Sequence, residues 1–125
     1  MKIFKQLFLF LFTFLLANSG HAQIQNTSWK GVFNLPSPAD CIFEFKTDTA
    51  LLTMDGNILE TSKLTVKGDT LTLQKLSGGS PCDADVIGIY RFKINGDKLT
   101  LTVIDDACNE RAMAGPEEPL TAVKN

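Results

Sequence analysis

The residues of this chain that could do chemistry are few: three cysteines, one histidine and a scatter of carboxylates. Cys41, Cys82 and Cys108 could act as nucleophiles, ligate a metal or join in a disulfide. The only histidine, His21, falls in an N-terminal segment that reads as a leader to be removed. Without it, Ser-His-Asp and Cys-His catalysis within one chain is excluded, as is every His-ligated metal site. Adjacent carboxylates occur at Asp105-Asp106 and Glu117-Glu118, with Asp83 and Asp85 one residue apart. Such a pair flanking a cleft, roughly 5–9.5 Å apart, could hydrolyse a glycoside. Asp83, Asp85 and Asp105 could instead gather around a divalent cation if Asp85 and Asp105 approach across a hairpin. Asp106 reads better as a helix cap, and Glu117 and Glu118 as solvated tail. No catalytic residue, metal ligand or cofactor is expected, and the protein is expected not to be an enzyme.

The leader is marked by local features. Lys2 and Lys5 give a basic start, residues 7–17 are apolar apart from Thr13, and Gly20-His21-Ala22 sets small residues at the −3 and −1 positions. This predicts a cleaved signal peptide over 1–22, a working domain over 23–125 and a secreted or periplasmic location. Gln23, not a cysteine, follows the junction, so no N-terminal lipid anchor is expected. A membrane-spanning helix needs roughly 20 apolar residues, and no other stretch comes near that length. The chain has 12 basic and 14 acidic residues, and the leader takes two of the bases. A mildly acidic domain with scattered cations is a poor fit to nucleic acid.

Exported domains keep disulfides, and an odd cysteine count predicts one bridge and one spare thiol. Cys82 and Cys108 stand almost symmetrically about Asn95-Gly96, which predicts a bridge across the open end of a hairpin. Cys41 shares an alternating face with Phe43 and Phe45 and is expected to be a buried, inert thiol.

Short runs of alternating apolar and polar residues must position these groups. Phe43 and Phe45 alternate with Glu44 and Lys46; Tyr90, Phe92 and Ile94 with Arg91 and Lys93; Leu99, Leu101 and Val103 with Thr100 and Thr102. Each run is short for a helix and has the period of a half-buried strand. Asp55-Gly56-Asn57, Lys67-Gly68-Asp69 and Asn95-Gly96-Asp97 supply hairpin turns. The expected strands are 28–33, 41–47, 50–55, 58–66 (broken near 61–63), 70–76, 86–94, 98–104 and 120–124. The motif G-D-x-L-T-L occurs at Gly68–Leu73 and again at Gly96–Leu101, as a turn plus its outgoing strand. Eight meandering strands hide their edges best by closing, so the fold class is all-β: a small antiparallel up-and-down β-barrel. A short helix capped by Asp106 is expected over 107–114, ended by Gly115 and Pro116.

Ser80-Pro81-Cys82, Gly88-Ile89-Tyr90, the second G-D-x-L-T-L and Asp106-Ala107-Cys108-Asn109-Glu110-Arg111 together resemble the bacterial exported lipocalin-like domains. Their pattern is C…G-x-Y…G-D-x-L-T-L…D-x-C-x-x-R after an N-terminal G-x-W. Trp29 matches that tryptophan, while Thr27 stands where the family has glycine. The resemblance implies a calycin-type barrel closed by its first and last strands around Trp29, with Arg111 stacked on the indole.

Two functional classes remain. One is a lipocalin-like binding module taking a small apolar or amphipathic ligand in a cavity lined by Phe43, Phe45, Tyr90 and Phe92. The other is a monomeric barrel-type inhibitor of a secreted enzyme, a protease or lysozyme. It would have a filled interior and act through an exposed segment, either the stretch from Leu35 to Asp40 or that from Ser77 to Pro81.

Overall fold

The computed structural model describes residues 23–124; the leader expected over 1–22 lies outside them. Eight antiparallel strands follow one another: β1 (Thr27–Asn34), β2 (Pro38–Phe45), β3 (Thr49–Met54), β4 (Asn57–Lys67), β5 (Thr70–Gly78), β6 (Ile87–Asn95), β7 (Lys98–Asp106) and β8 (Leu120–Ala122). Among the described residues a single helix, α1 (Asn109–Ala114), stands between the last two. Every strand pairs with its chain neighbour and β8 pairs with β1, so the sheet closes into an eight-stranded barrel. The up-and-down barrel and its helix are those expected from the alternation.

Turn chemistry sets the meander. At Asp55 and Gly56 both φ angles are positive, 52° and 79°, the pattern of a type I′ turn. In the two G-D-x-L-T-L copies only the glycine is left-handed, with φ of 63° at Gly68 and at Gly96. Glycine at the first central position belongs to a type II′ turn, and it seats Lys67 opposite Thr70 and Asn95 opposite Lys98.

Closure is uneven. β8 meets β7 only at Lys98 and Leu99, and β1 only at Trp29 and Lys30. Beyond that short seam α1 packs against both β7 and β1. Leu120, fully buried, lies over Gly31, and a Cβ there would collide with its side chain. Trp29 sits in this seam opposite Ala122 and Phe43, as the resemblance implied.

The interior carries an apolar core. Ile24, Phe45, Leu71, Leu99 and Leu120 are the largest fully buried side chains, joined by Trp29, Phe33, Tyr90 and Phe92. Phe43 packs on this core, its ring 4.5 Å from Phe45 and 5.8 Å from Phe33. Each well-buried aromatic contributes several kcal/mol of transfer free energy, about 1.5–3 for a Phe, so the packing is a major source of stability.

The barrel has two distinct ends. One, the turn end, carries the two Gly-Asp turns, the 46–48 connection and the entering segment 23–26. The other, the loop end, carries the 35–37 connection, the Asp55-Gly56 turn, the 79–86 loop and α1. Gly88 belongs to the loop end and lies where β6 faces β7. A Cβ on it would come 2.5 Å from Asp106 Oδ2 and 2.8 Å from a ring carbon of Tyr90, whereas one on Gly79 would meet nothing within 4 Å. Gly88→Ala should therefore lower unfolding free energy in urea by about 1–3 kcal/mol, with Gly79→Ala close to neutral. Equal effects of the two would show that the crowding at Gly88 is not real.

Candidate functional site

The loop end is where the motif residues meet. Gly88 faces Asp106 across the β6–β7 hairpin, Ile89 faces Asp105, and after a register shift between Ile89 and Tyr90, Tyr90 faces Val103. Both Gly88 and Tyr90 point inward, and so does Asp106. Its side chain has no exposed surface, so its charge must be compensated within the protein.

That compensation is complete. Asp106 Oδ1 accepts from the Cys108 amide at 3.0 Å and from Arg111 Nη2 at 2.8 Å. Its Oδ2 accepts from Arg111 Nε at 2.7 Å and from the Tyr90 hydroxyl. Arg111 Nη2 also donates to the Val86 carbonyl at 3.0 Å. Guanidinium and carboxylate thus form a two-pronged pair, the strongest geometry open to them. Burial is the largest single influence on the Asp106 carboxyl and works against its charge. Hydrogen bonds from Arg111, Tyr90 and the Cys108 amide, with the Arg111 charge, outweigh it and hold the group below its ordinary value. Arg111 is driven the opposite way, chiefly by its hydrogen bond to Asp106. Burial, then the hydrogen bond and charge of Asp106, push the Tyr90 hydroxyl far up. A tyrosine so held is a donor and not a base.

This corrects two expectations. Arg111 is committed to Asp106 and Val86 instead of stacking on Trp29, whose indole Nε1 donates to Thr27 Oγ1 at 2.8 Å. Thr27 in turn donates to the Ile24 carbonyl, a link that glycine at this position could not make. The helix also begins later than 107: it spans Asn109–Ala114 with Cys108 at its N-cap, and Asp106 binds the amide of Cys108 from outside the helix.

The expected bridge is present, Cys82 to Cys108 with Cα atoms 5.6 Å apart. Its geometry differs from the hairpin picture. The turn centres on Gly96-Asp97 and the bulge shifts the register, so the β6–β7 ladder ends at Gly88 opposite Asp106, before it reaches Cys82. The bridge instead joins the 79–86 loop to the turn leading into α1. Cys41 is free, buried and 3 % exposed. Burial, then the charges of Asp40 and Asp55, raise its thiol pKa, which suits an inert side chain.

A second polar group braces the same loop. Leu52 faces Glu60 and Ser62 faces Lys75, so both charged residues take inward positions at the loop end. Lys75 Nζ lies 3.7 Å from Glu60 Oε1 and donates to the Ser80 carbonyl at 2.5 Å, while Ser80 Oγ donates to Glu60 at 2.8 Å. Gln74 Nε2 holds the Ala84 carbonyl at 3.0 Å, and the Gly79 amide donates to the Leu59 carbonyl. The 79–86 loop is therefore tied to β4, β5 and α1 while Pro81, Asp83 and Asp85 remain exposed. Sequence reasoning missed the inward Glu60–Lys75 pair; the weak signal was a Glu and a Lys in strands whose other inward residues are apolar or small.

Of the residues expected to line a cavity, Phe45, Tyr90 and Phe92 are buried in the core and Phe43 packs against it. Two open hollows lie elsewhere, at the turn end. One, of about 360 Å³, is lined by residues including Gln23, Asn26, Trp29, Ile94 and Val123; the other is bordered by Glu44, Lys46 and Asp48. Asp105 faces Ile89 and not Asp85, and no group of three metal-ligating side chains forms among the described residues. No helix of the described residues is long and apolar enough to cross a membrane.

No family model, curated protein or solved structure matches the chain.

Asp106→Ala should cost about 3–5 kcal/mol, because it strands Arg111 in a largely buried site. Its pH dependence follows from the lowered carboxyl pKa. The stabilisation from Asp106 is fully present above the ordinary value of 3.8 and is lost as pH falls through the lower folded value. Urea titrations from neutral pH to about pH 3 should therefore show the gap between wild type and variant constant above about pH 5 and shrinking only below the ordinary carboxylate range. A gap that closes at higher pH would contradict the network.

Proposed function

We propose that this chain is an exported lipocalin-like barrel that acts by binding, not catalysis. Its partner is a secreted hydrolase, a protease or lysozyme with a cationic face. The observation that carries this reading is the braced 79–86 loop, held by a disulfide and two buried polar groups yet exposing Pro81, Asp83 and Asp85. A loop fixed before it binds loses little conformational freedom on association, which is where flexible loops forfeit affinity.

Charge and surface support the partner class. Asp40, Asp55, Asp83, Asp85, Asp105 and Glu110 are all exposed at the loop end. Among the described residues the bases there are Lys75 and Arg111, both turned inward onto Glu60 and Asp106. At the turn end Lys46, Lys67, Lys93 and Lys98 are nearly balanced by Glu44, Asp48, Asp69 and Asp97, so the excess of negative charge lies at the loop end. The molecule is thus electrically polar, and its negative end would steer toward a positive surface. Exposed Ile58, Leu76 and Ile87, on three consecutive strands beside the loop, supply apolar contact area once the charges have aligned.

The test is a binding panel of lysozymes and serine proteases of both charge signs on the immobilised barrel. Basic members should bind saturably at one to one. The double substitution Asp83→Lys and Asp85→Lys should lower the on-rate by about tenfold or more, with a weaker salt dependence. If no hydrolase binds while an apolar fluorescent dye binds one to one, the barrel takes up small ligands and this reading is wrong.

A further inference from the structure

The strongest unclaimed chemistry lies at the turn end, where the chain enters the barrel. Gln23 is exposed, and Ile24, the next residue, is fully buried. Asn26 follows with a left-handed φ of 64°, and Thr27 ties back to the Ile24 carbonyl. The entering segment is thus anchored one residue after the expected cleavage point between Ala22 and Gln23.

We propose that Gln23, once freed as the N-terminus, is converted to pyroglutamate. This rests on removal of the leader at that bond and is independent of the partner reading. The step is balanced without any added reactant. The α-amino nitrogen attacks the side-chain carboxamide carbon, a five-membered lactam forms, the bond from that carbon to its own nitrogen breaks, and ammonia leaves. Neither oxidation nor reduction is involved, and a positive charge is exchanged for a neutral ring.

The surroundings favour that exchange. Gln23 borders the hollow of about 360 Å³ whose other walls are Asn26, Thr27, Ser28, Trp29, Ile94, Gly96, Ala122 and Val123. None of these is a carboxylate, so an ammonium in this place has no counter-charge in the hollow's wall. The exposed lysines of the turn end, Lys93, Lys98 and Lys124, are accompanied by Asp48, Asp69 and Asp97 in its turns, none of which lines the hollow itself. A lactam beside Trp29 and Ile94 carries no such penalty, because its ring is compact and uncharged. Ile24 holds the segment in place, and the exposed Gln23 side chain is free to turn back on its own amine.

The test is mass spectrometry of the full-length gene product recovered from the culture after export. Free amines are capped by reductive methylation at harvest, so that ring closure during handling leaves no trace. The expected result is an N-terminal peptide beginning at Gln23, uncapped and lighter by one ammonia. A peptide beginning at Gln23 with a capped amine overturns the proposal and leaves the leader reading intact. A different first residue overturns both. A Gln23→Ala variant, processed at the same bond, should carry the cap in full; an uncapped end there would show that the block is not the glutamine lactam.

Discussion

One carboxylate organises the loop end of this barrel. Asp106 is wholly buried, and a bare charge there would cost several kcal/mol. The protein surrounds it with Tyr90 from β6, Arg111 from α1 and the amide of Cys108. Tyr90, sixteen residues back along the chain, must then converge on one point with Cys108 and Arg111, which follow Asp106 directly. Gly88 must have no side chain, since a Cβ would occupy the space of the carboxylate. Arg111, drawn down onto Asp106, carries α1 across the stretch where β8 is too short to pair β7 with β1, and it reaches the end of the 79–86 loop at Val86. The Cys82–Cys108 bridge then fixes that loop to the same turn.

The consequence is a molecule with a division of labour along its axis. The middle is an aromatic and aliphatic core with no polar business. The turn end is tied by short hairpins and by Ile24. At the loop end the polar contacts that would ordinarily be spent on solvent are turned inward, Glu60 on Lys75 and Asp106 on Arg111. The remaining exposed charges there are negative. Pre-organisation and electrical polarity thus arise from the same arrangement, since the cations that could have neutralised that end are consumed in bracing it.

Much of this could be read from the residues alone, and the exceptions have physical causes. Strand alternation and Gly-Asp turns are local signals, so the eight strands fall within a few residues of their expected places, including the break in β4, seen as a register shift between Thr61 and Ser62. The bridge pairing was readable, but not its setting, because the bulge at Ile89/Tyr90 has no compositional mark and shifts every partner beyond it. Gly88, Tyr90, Asp106, Cys108 and Arg111 were all visible as a spaced pattern. Their common purpose was not, because it depends on which strand faces which. The indole looked like the natural partner for Arg111 only while Asp106 was assigned to the helix cap. Burial of a charge is a property of the closed barrel, and spacing along a strand does not report it.

The central claim is that Asp106 braces the loop end, and amide hydrogen exchange tests it most directly. The amides to follow are Val86 and Cys108, held by Asp83 and Asp106, with Leu64, bonded to the Asp48 carbonyl at the opposite end, as the control. In the wild type all three should exchange slowly. In Asp106→Asn, exchange at Val86 and Cys108 should accelerate by about tenfold or more while Leu64 stays protected, the signature of local and not global opening. Fast exchange at Val86 and Cys108 in the wild type, or no change on substitution, would contradict the account.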